Sequence, residues 1–112
     1  MTKKDFALFK KRVKHWRNRL GLKDWEISID KDELDENCVG QCFCEPQNRC
    51  ATITIDNTIK NLTRRGIDII ALHETLEVLL WDTRDALNTL YNEDATDKHV
   101  HRIIRRLENA LK

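Results

Sequence analysis

The sequence has little proline and glycine and no long apolar run. Its 112 residues include one proline and three glycines, which excludes collagen-like and low-complexity chains that depend on these residues. No segment approaches the roughly 20 consecutive apolar residues that a membrane-spanning helix needs. The first residues, MTKKDFALFKKRVKHW, lack the apolar stretch of a secretion signal. We therefore expect a cytoplasmic protein without membrane partners.

What the chain does contain is typical of a compact, helix-rich protein. It is 40% hydrophobic and 35% charged, a composition that does not favour disorder. The length suits one domain, because splitting 112 residues would leave neither half a sufficient core. We expect a single domain over residues 1–112, and the sequence has no internal repeats.

Charge is distributed unevenly although the net charge is only +1. Residues 1–20 carry eight basic side chains and one acid, so the remainder of the chain is acidic. The first helix then presents a basic face, which is either solvated or contacts phosphate or nucleic acid. Because no helix-turn-helix, zinc-finger or aromatic stacking motif accompanies it, nucleic-acid binding is the weaker alternative. The basic residues are Lys3, Lys4, Lys10, Lys11, Arg12, Lys14, Arg17 and Arg19.

Apolar spacing predicts the N-terminal elements. Between residues 2 and 20 apolar side chains recur every three or four positions, which predicts an amphipathic helix that ends near Gly21. The alternating string WEISID then predicts a strand with Trp25, Ile27 and Ile29 on one face. The apolar positions of the helix are Phe6, Phe9, Val13, Trp16 and Leu20.

Two further strands are predicted at residues 39–45 and 50–56. Pro46-Gln47-Asn48-Arg49 contains turn-forming residues, and ATITID is rich in β-branched ones, which indicates a β-hairpin. If Gln47 and Asn48 form the centre of the turn, Glu45 pairs with Cys50. Cys42 and Cys44 then share a face with Ala51, Ile53 and Ile55.

Four cysteines fall close together, at Cys38, Cys42, Cys44 and Cys50. A reducing cytosol disfavours disulfides. The spacing C-x3-C-x-C-x5-C also lacks the C-x2-C pairs of structural zinc sites. We therefore interpret the two thiols of the inner face as small apolar residues of the core.

The C-terminal half is predicted to form two helices. The segment 67–90, IDIIALHETLEVLLWDTRDALNTL, is long and nearly continuously apolar in its first part, which predicts a buried central helix. After a break near residues 91–94, residues 95–112 predict a last helix. The apolar stripe of that helix is Val100, Ile103, Ile104, Leu107 and Leu111.

A charged cluster interrupts the most apolar part of the chain. Ten of the fifteen residues from 67 to 81 are apolar, yet His73, Glu74 and Glu77 stand in their midst. Burying carboxylates and an imidazole is costly unless each finds a partner. A metal ion or a ligand is the economical partner, so this cluster is the candidate functional site.

The spacing of the cluster points to zinc. His73 and Glu77 are four residues apart, so they lie on one helix face and can bind the same ion. Glu74 projects about 100° away. In H-E-x-x-H helices two histidines hold zinc and the intervening glutamate is the general base for the attacking water. Here the string is H-E-T-L-E, and a carboxylate oxygen is an acceptable zinc ligand.

The last helix offers candidates for a third ligand. Relative to the middle of its apolar stripe, Asp97 lies about 60° and His101 about 100° to one side, while His99 lies about 100° to the other. We favour His101, because imidazole is the commonest zinc ligand, and keep Asp97 and His99 as alternatives. His15, on the basic first helix, is interpreted as a surface residue.

With these residues the chain resembles small, often phage-borne zinc metallopeptidases that have a minimal zincin core and are distantly similar to SprT-like proteins. The resemblance covers roughly residues 5–111 and rests on GLKDWEISI, RCATITID, ALHETLEVLL and HRIIRRLENAL. It implies an α+β fold: an N-terminal helix, a short three-stranded, mainly antiparallel sheet with a hairpin, a buried active-site helix and a C-terminal helix. It also implies an edge strand able to receive an extended peptide.

By the same resemblance His73 is the first ligand of Zn²⁺, Glu74 the general base, Glu77 the second ligand, and His101 or Asp97 the third. The sequence departs from the family pattern at Glu77, where histidine is expected. A carboxylate lowers the effective charge of the ion, so hydrolysis should be slower. The leading hypothesis is a zinc-dependent peptidase. The alternative is a non-catalytic module on the same core that binds a partner protein through the hairpin edge or the basic helix.

Overall fold

The computed structural model describes residues 1–111, and these form four α-helices and a three-stranded sheet. The predicted α+β class is confirmed. One hydrophobic cluster joins the first helix, the sheet and the central helix, and the last helix adds two fully buried side chains, Val100 and Ile104. No helix among the described residues is long and apolar enough to cross a membrane.

The first helix, α1, spans Lys3–Arg19. It begins at a capping box in which the Thr2 hydroxyl accepts from the Asp5 amide and the Asp5 carboxylate accepts from the Thr2 amide, both at 3.1 Å. Phe9, Val13 and Trp16 are buried as the apolar spacing predicts. The helix ends before Gly21, whose φ of +74° suits glycine.

Two side chains of α1 share one carboxylate on the central helix. The Arg12 Nε and the Trp16 Nε1 donate to Asp68 Oδ1 at 2.7 and 2.8 Å. These bonds satisfy the indole N–H of a buried tryptophan and neutralise the carboxylate. They therefore fix α1 against the helix that bears the candidate site.

The sheet consists of β1, Glu26–Asp32, β2, Gly40–Glu45, and β3, Cys50–Asp56, in the order β1-β3-β2. The hairpin is confirmed: β2 runs antiparallel to β3 with Glu45 opposite Cys50. A short 3₁₀ turn, Pro46–Asn48, joins them, and Arg49 follows in the left-handed region with φ of 53°. Cys42 and Cys44 share the inner face with the apolar residues of β3, as predicted.

The sheet is mixed, because β1 lies parallel to β3, whereas the sequence predicts a mainly antiparallel sheet. After β1 the chain crosses to the far side of the sheet before β2 begins, so β3 inserts between the two earlier strands. The alternation within a strand indicates which face is buried and carries no information about its neighbour. This leaves β1 and β2 as the two edges.

The central helix, α2, spans Arg64–Leu79, and the Thr63 hydroxyl caps it by accepting from the Gly66 amide at 2.9 Å. The predicted continuous helix over 67–90 is interrupted, because a separate helix, α3, begins at Trp81 and spans Trp81–Asn88. Leu80, with φ −96° and ψ 7°, lies outside both helices. The bend keeps Leu80 and Trp81 against the core, while α3 contains no buried residue.

The last helix, α4, spans Glu93–Leu111 and packs on α2 and α3. Asn92 precedes it, and its side-chain carbonyl accepts from the Ala95 amide at 2.8 Å, so the helix begins two residues before the predicted start. The predicted last residue, Lys112, lies outside the described residues.

Candidate metal centre

Two helices bring three ligand-type atoms together. His73 and Glu77 are one turn apart on α2, and His101 faces them from α4. Glu77 Oε1 lies 3.6 Å from His73 Nε2 and 3.2 Å from His101 Nε2. The three groups offer ligand atoms that all lie within 4.8 Å of one another, and they are the one such group of three in residues 1–111.

These separations match the spacing of ligands around zinc. With metal–nitrogen and metal–oxygen bonds of about 2.0–2.2 Å, two ligands of a tetrahedral ion are about 3.3–3.5 Å apart. The measured 3.6 and 3.2 Å bracket that spacing. An ion could therefore be accommodated with small side-chain adjustments.

Each imidazole is held by the ring nitrogen that faces away from the centre. The Nδ1–H of His101 donates to the backbone carbonyl of Asp97 at 2.9 Å, and His73 Nδ1 lies 3.5 Å from Glu108 Oε2. The hydrogen bond of His101 places the proton on Nδ1 and leaves Nε2 free to bind a metal ion, and the carboxylate of Glu108 lies on the Nδ1 side of His73. Both Nε2 atoms are the ones that approach Glu77.

The two oxygens of the Glu77 carboxylate also have different partners. Its Oε1 faces the imidazoles, whereas its Oε2 accepts from Arg84 Nη2 at 2.9 Å. Arg84 Nη1 also donates to Asp97 Oδ1 at 2.8 Å. This bond from Arg84 is the main reason that the pKa of Asp97 lies below its usual value. Partial burial acts to lower the pKa of Arg84, but its pairs with Asp97 and Glu77 outweigh burial and raise it.

Glu74 lies beside the triad in a different environment. Only 5% of it is exposed, and its carboxyl faces Gly40 at the start of β2. Burial raises the pKa of Glu74 to about 8, and the charges of Glu77 and Glu108 add to the shift. Glu74 and His73 line the same cleft of about 260 Å³, which lies between β2, α2 and the end of α4.

The remaining candidates occupy other positions. Asp97 lies outside the triad, where its carboxylate pairs with Arg84 and approaches His101 Nδ1 at 3.4 Å. His99 is exposed and lines a different pocket with Leu87 and Tyr91, so the structure does not bring it to the centre. His15 is exposed on α1, as expected.

Sequence reasoning missed Arg84 and Glu108. Glu108 follows His101 by seven residues, which is two turns of α4, and Arg84 follows Glu77 by seven residues across the bend at Leu80. That spacing is visible in the sequence, but charged residues at such intervals are common on solvated helix faces.

The cysteines do not take part in the triad. Cys42 and Cys44 are free thiols whose sulfurs lie 3.6 Å apart on the inner face of β2. The hydrogen bond with Cys44, burial, and the charges of Cys44, Glu74 and Glu77 all raise the pKa of the Cys42 thiol. Cys42 therefore stays protonated and neutral, in keeping with its interpretation as an apolar residue.

Comparison with known proteins identifies no relative. No protein-family model, no curated protein and no solved structure matches this chain. The function must therefore follow from the geometry and chemistry of the centre.

Proposed function

We propose that this chain is a zinc-dependent hydrolase of peptides, with the metal held by His73, Glu77 and His101. One observation supports this above all: the ligand atoms of His73, Glu77 and His101 lie within 4.8 Å of one another, while the second oxygen of Glu77 and Nδ1 of His101 are hydrogen-bonded to other groups. A surface cluster formed by chance has no reason to show that second set of contacts. Orienting contacts of this kind are typical of metal-binding histidines.

The donor set favours zinc and a catalytic role. Two imidazoles and one carboxylate are ligands that zinc accepts readily. Structural zinc sites are closed by four protein ligands, whereas catalytic sites have three and keep one position for water or substrate. The triad supplies three, and the side chains of His73 and His101 are about one-third exposed. Substrate can therefore reach the centre.

Each residue then has a distinct part in hydrolysis. When held by His73, Glu77 and His101, zinc would supply Lewis-acid polarisation of the substrate carbonyl and a more acidic water. Glu74, the residue after His73 and a neighbour in the same cleft, accepts the proton of the attacking water. Its carboxyl must be ionised for this, and the charge of a bound cation would lower its raised pKa of about 8. Glu108 and Asp97 hold the two imidazoles in the orientation that exposes Nε2.

Arg84 offsets part of the negative charge that Glu77 adds at the position where the resembled family has histidine. A glutamate adds a negative charge that an imidazole lacks, and this charge would weaken the ion as a Lewis acid. Because Arg84 binds the second oxygen of Glu77, the pair contributes less net charge than an isolated carboxylate. The Arg84–Glu77 pair thus resembles a neutral ligand more closely than the sequence string suggests.

The peptide as substrate follows from the resemblance to zincin-like metallopeptidases, which remains a proposal. An edge strand, β2, borders the cleft that contains Glu74, in keeping with that resemblance. The same strand also favours the second candidate, a non-catalytic module that binds a partner protein. Phe43 on β2 is 60% exposed and Val39 just before it is 52% exposed, which is unusual for apolar side chains.

Metal analysis tests the proposal directly. The chain purified without an affinity tag should contain about one equivalent of zinc by elemental analysis. His101→Ala should lose the metal, whereas His99→Ala, which removes an exposed imidazole two residues away, should retain it. Circular dichroism of both variants checks that the fold is kept. A metal-free wild-type chain that also fails to take up added zinc would refute the proposal and favour the binding module.

Catalysis is tested by Glu74→Gln. This variant should keep its zinc and lose cleavage of an unfolded protein substrate, because only the proton acceptor is removed. Equal cleavage by the wild type and Glu74→Gln would exclude Glu74 as the general base.

A further inference from the structure

A basic groove of about 540 Å³ lies beside the candidate metal centre, on the outer side of α4. One metal-binding residue, His101, forms part of its wall. The groove is lined by Asp97, Lys98, His101, Arg102 and Arg105. Three of these five side chains are cationic, although the chain as a whole is almost neutral.

Helical spacing places the cations around His101. Lys98 precedes His101 by three residues and Arg105 follows it by four, so each lies one turn away on the same face. Arg102 is the next residue after His101. A group bound at the metal centre therefore has a positive charge on each side of it along the helix axis.

The charge of this groove is not cancelled from within. The one acid of its lining, Asp97, offsets at most one of the three positive charges, and it shares Arg84 with Glu77. Lys98 pairs with Asp94 at 3.3 Å, but both side chains are largely exposed and such pairs are weak. Within residues 1–111, Arg102 and Arg105 are exposed and take part in none of the ion pairs of this surface. Two guanidinium groups are thus available to a ligand.

We propose that this groove selects peptide substrates with acidic side chains close to the bond that is cleaved. The inference rests on the proposed function, because it assigns the substrate class of the same centre. Arginine binds carboxylates through two parallel hydrogen bonds, which gives both attraction and orientation. From Lys98 to Arg105 the helix rises about 10 Å, the length of about three extended residues. The acidic side chains are therefore expected within about three residues of the cleaved bond.

The lining favours an acidic peptide over a nucleic acid. Phenylalanine, tyrosine and tryptophan are absent from the described lining of the groove, so bases would find only the imidazole of His101 as an aromatic surface on which to stack. Glu93 and Asp94, at the N-terminal end of α4, would repel a phosphate backbone that continued past Lys98. A short acidic segment meets neither difficulty.

The test is a binding comparison with the full chain. A fluorescent hexapeptide with three glutamates and the same peptide with glutamines are titrated by anisotropy into metal-free and zinc-loaded protein. We expect the acidic peptide to bind about fivefold to tenfold more tightly, the range for two or three exposed ion pairs. Arg102→Gln/Arg105→Gln should abolish most of this preference, since glutamine keeps the helix propensity and removes the charge.

A matched control removes two positive charges elsewhere. Lys11→Gln/Arg19→Gln alters exposed residues of α1 and should leave the preference intact. The titration of metal-free protein distinguishes the groove proposal from the hydrolase proposal, because the arginines attract carboxylates without zinc. If the protein takes up no zinc but still prefers the acidic peptide, the proposed hydrolase function fails and the groove assignment stands.

Three results would overturn the groove assignment. One is equal binding of the acidic and neutral peptides to the wild type. Another is an equal loss of preference in the groove variant and the α1 control, which would indicate a general charge effect. The third is tighter, steeply salt-dependent binding of a single-stranded oligonucleotide that disappears in Arg102→Gln/Arg105→Gln, which would assign the groove to nucleic acid.

Discussion

Arg84 joins the two helices of the candidate centre through a single side chain. It pairs with Glu77 on α2 at 2.9 Å and with Asp97 on α4 at 2.8 Å, and only 17% of its side chain is exposed. A partly buried guanidinium is tolerated because its two terminal nitrogens pair with carboxylates, although its Nε is buried without a hydrogen-bond partner among the described residues. The same bonds fix the direction of Glu77 Oε1. They also fix the position of Asp97, whose backbone carbonyl accepts a hydrogen bond from His101.

Replacing Arg84 should therefore weaken metal binding without removing a ligand. For Arg84→Met we expect a loss of zinc affinity of about 10–100-fold, the usual effect of removing a residue that orients ligands. Competition against a chromophoric chelator measures it. Arg106→Met, at an exposed arginine of α4, is the control and should bind zinc as the wild type does. Unchanged affinity in Arg84→Met would show that Glu77 needs no such support.

At the residue scale the sequence contained most of the centre. His73, Glu77 and His101 could be selected because they are metal-binding types in or beside an apolar run at helical spacing. Arg84 and Glu108 could not be selected, because their contacts with the triad depend on where α3 and α4 lie relative to α2. The choice between His101 and Asp97 also needed coordinates, since both occupy one flank of α4 and only the imidazole turns its free nitrogen toward Glu77.

The close approach of β2 to α2 occurs at Gly40. A Cβ placed there would lie 3.0 Å from Glu74 Oε2 and 3.1 Å from its Cγ and Cδ. A side chain at this position would therefore crowd Glu74, which would have to shift by a few tenths of an ångström. The hairpin and the helix are matched to each other at the residue proposed as general base.

Gly40→Ala should consequently destabilise the fold by about 1–3 kcal/mol through overpacking. Urea unfolding measures the change. In a Glu74→Ala background, where the opposing side chain is removed, the same substitution should cost much less, so the double-mutant cycle should show coupling. Additive effects of the two substitutions would contradict the proposed contact.

At the element scale, sequence patterns predicted the elements that form through contacts between residues close in sequence. Apolar spacing and the stop at Gly21 predicted α1, and turn residues with alternation predicted the register of the hairpin. The bend at Leu80 escaped prediction because neither proline nor glycine marks it. The parallel pairing of β1 with β3 escaped it as well, since partners distant in sequence are set by the assembled core.

At the scale of the whole molecule, the candidate centre joins α4 to the rest of the fold. The buried core residues of α4 are Val100 and Ile104, whereas α1, α2 and the sheet supply the remaining core residues. Polar contacts attach α4 to α2 through His101 and Glu108, and Asp97 pairs with Arg84 of α3. Metal binding should therefore affect the stability of the entire chain.

Zinc should raise the melting temperature and a chelator should lower it. With free zinc at 100 times the dissociation constant, a ligand that binds only the folded chain adds about 2.7 kcal/mol. For a chain of this size that corresponds to a rise on the order of 10 °C. Differential scanning fluorimetry should show the rise in the wild type and in His99→Ala and its absence in His101→Ala. A shift of equal size in all three would indicate zinc binding elsewhere.

The placement of the ligands also determines which part of the molecule can open by itself. The segment from Glu77 to His101 contains the whole of α3, a helix with no buried residue. Without an ion α3 can open as a local unfolding event, since only its partly buried Trp81 and Leu87 pack against the core. With an ion bound, both ends of the segment 77–101 would be held by the metal. Unfolding that starts at its C-terminal end would first require His101 to leave the ion. A bound ion would thus protect α3 and α4 from amide hydrogen exchange and from cleavage by proteases.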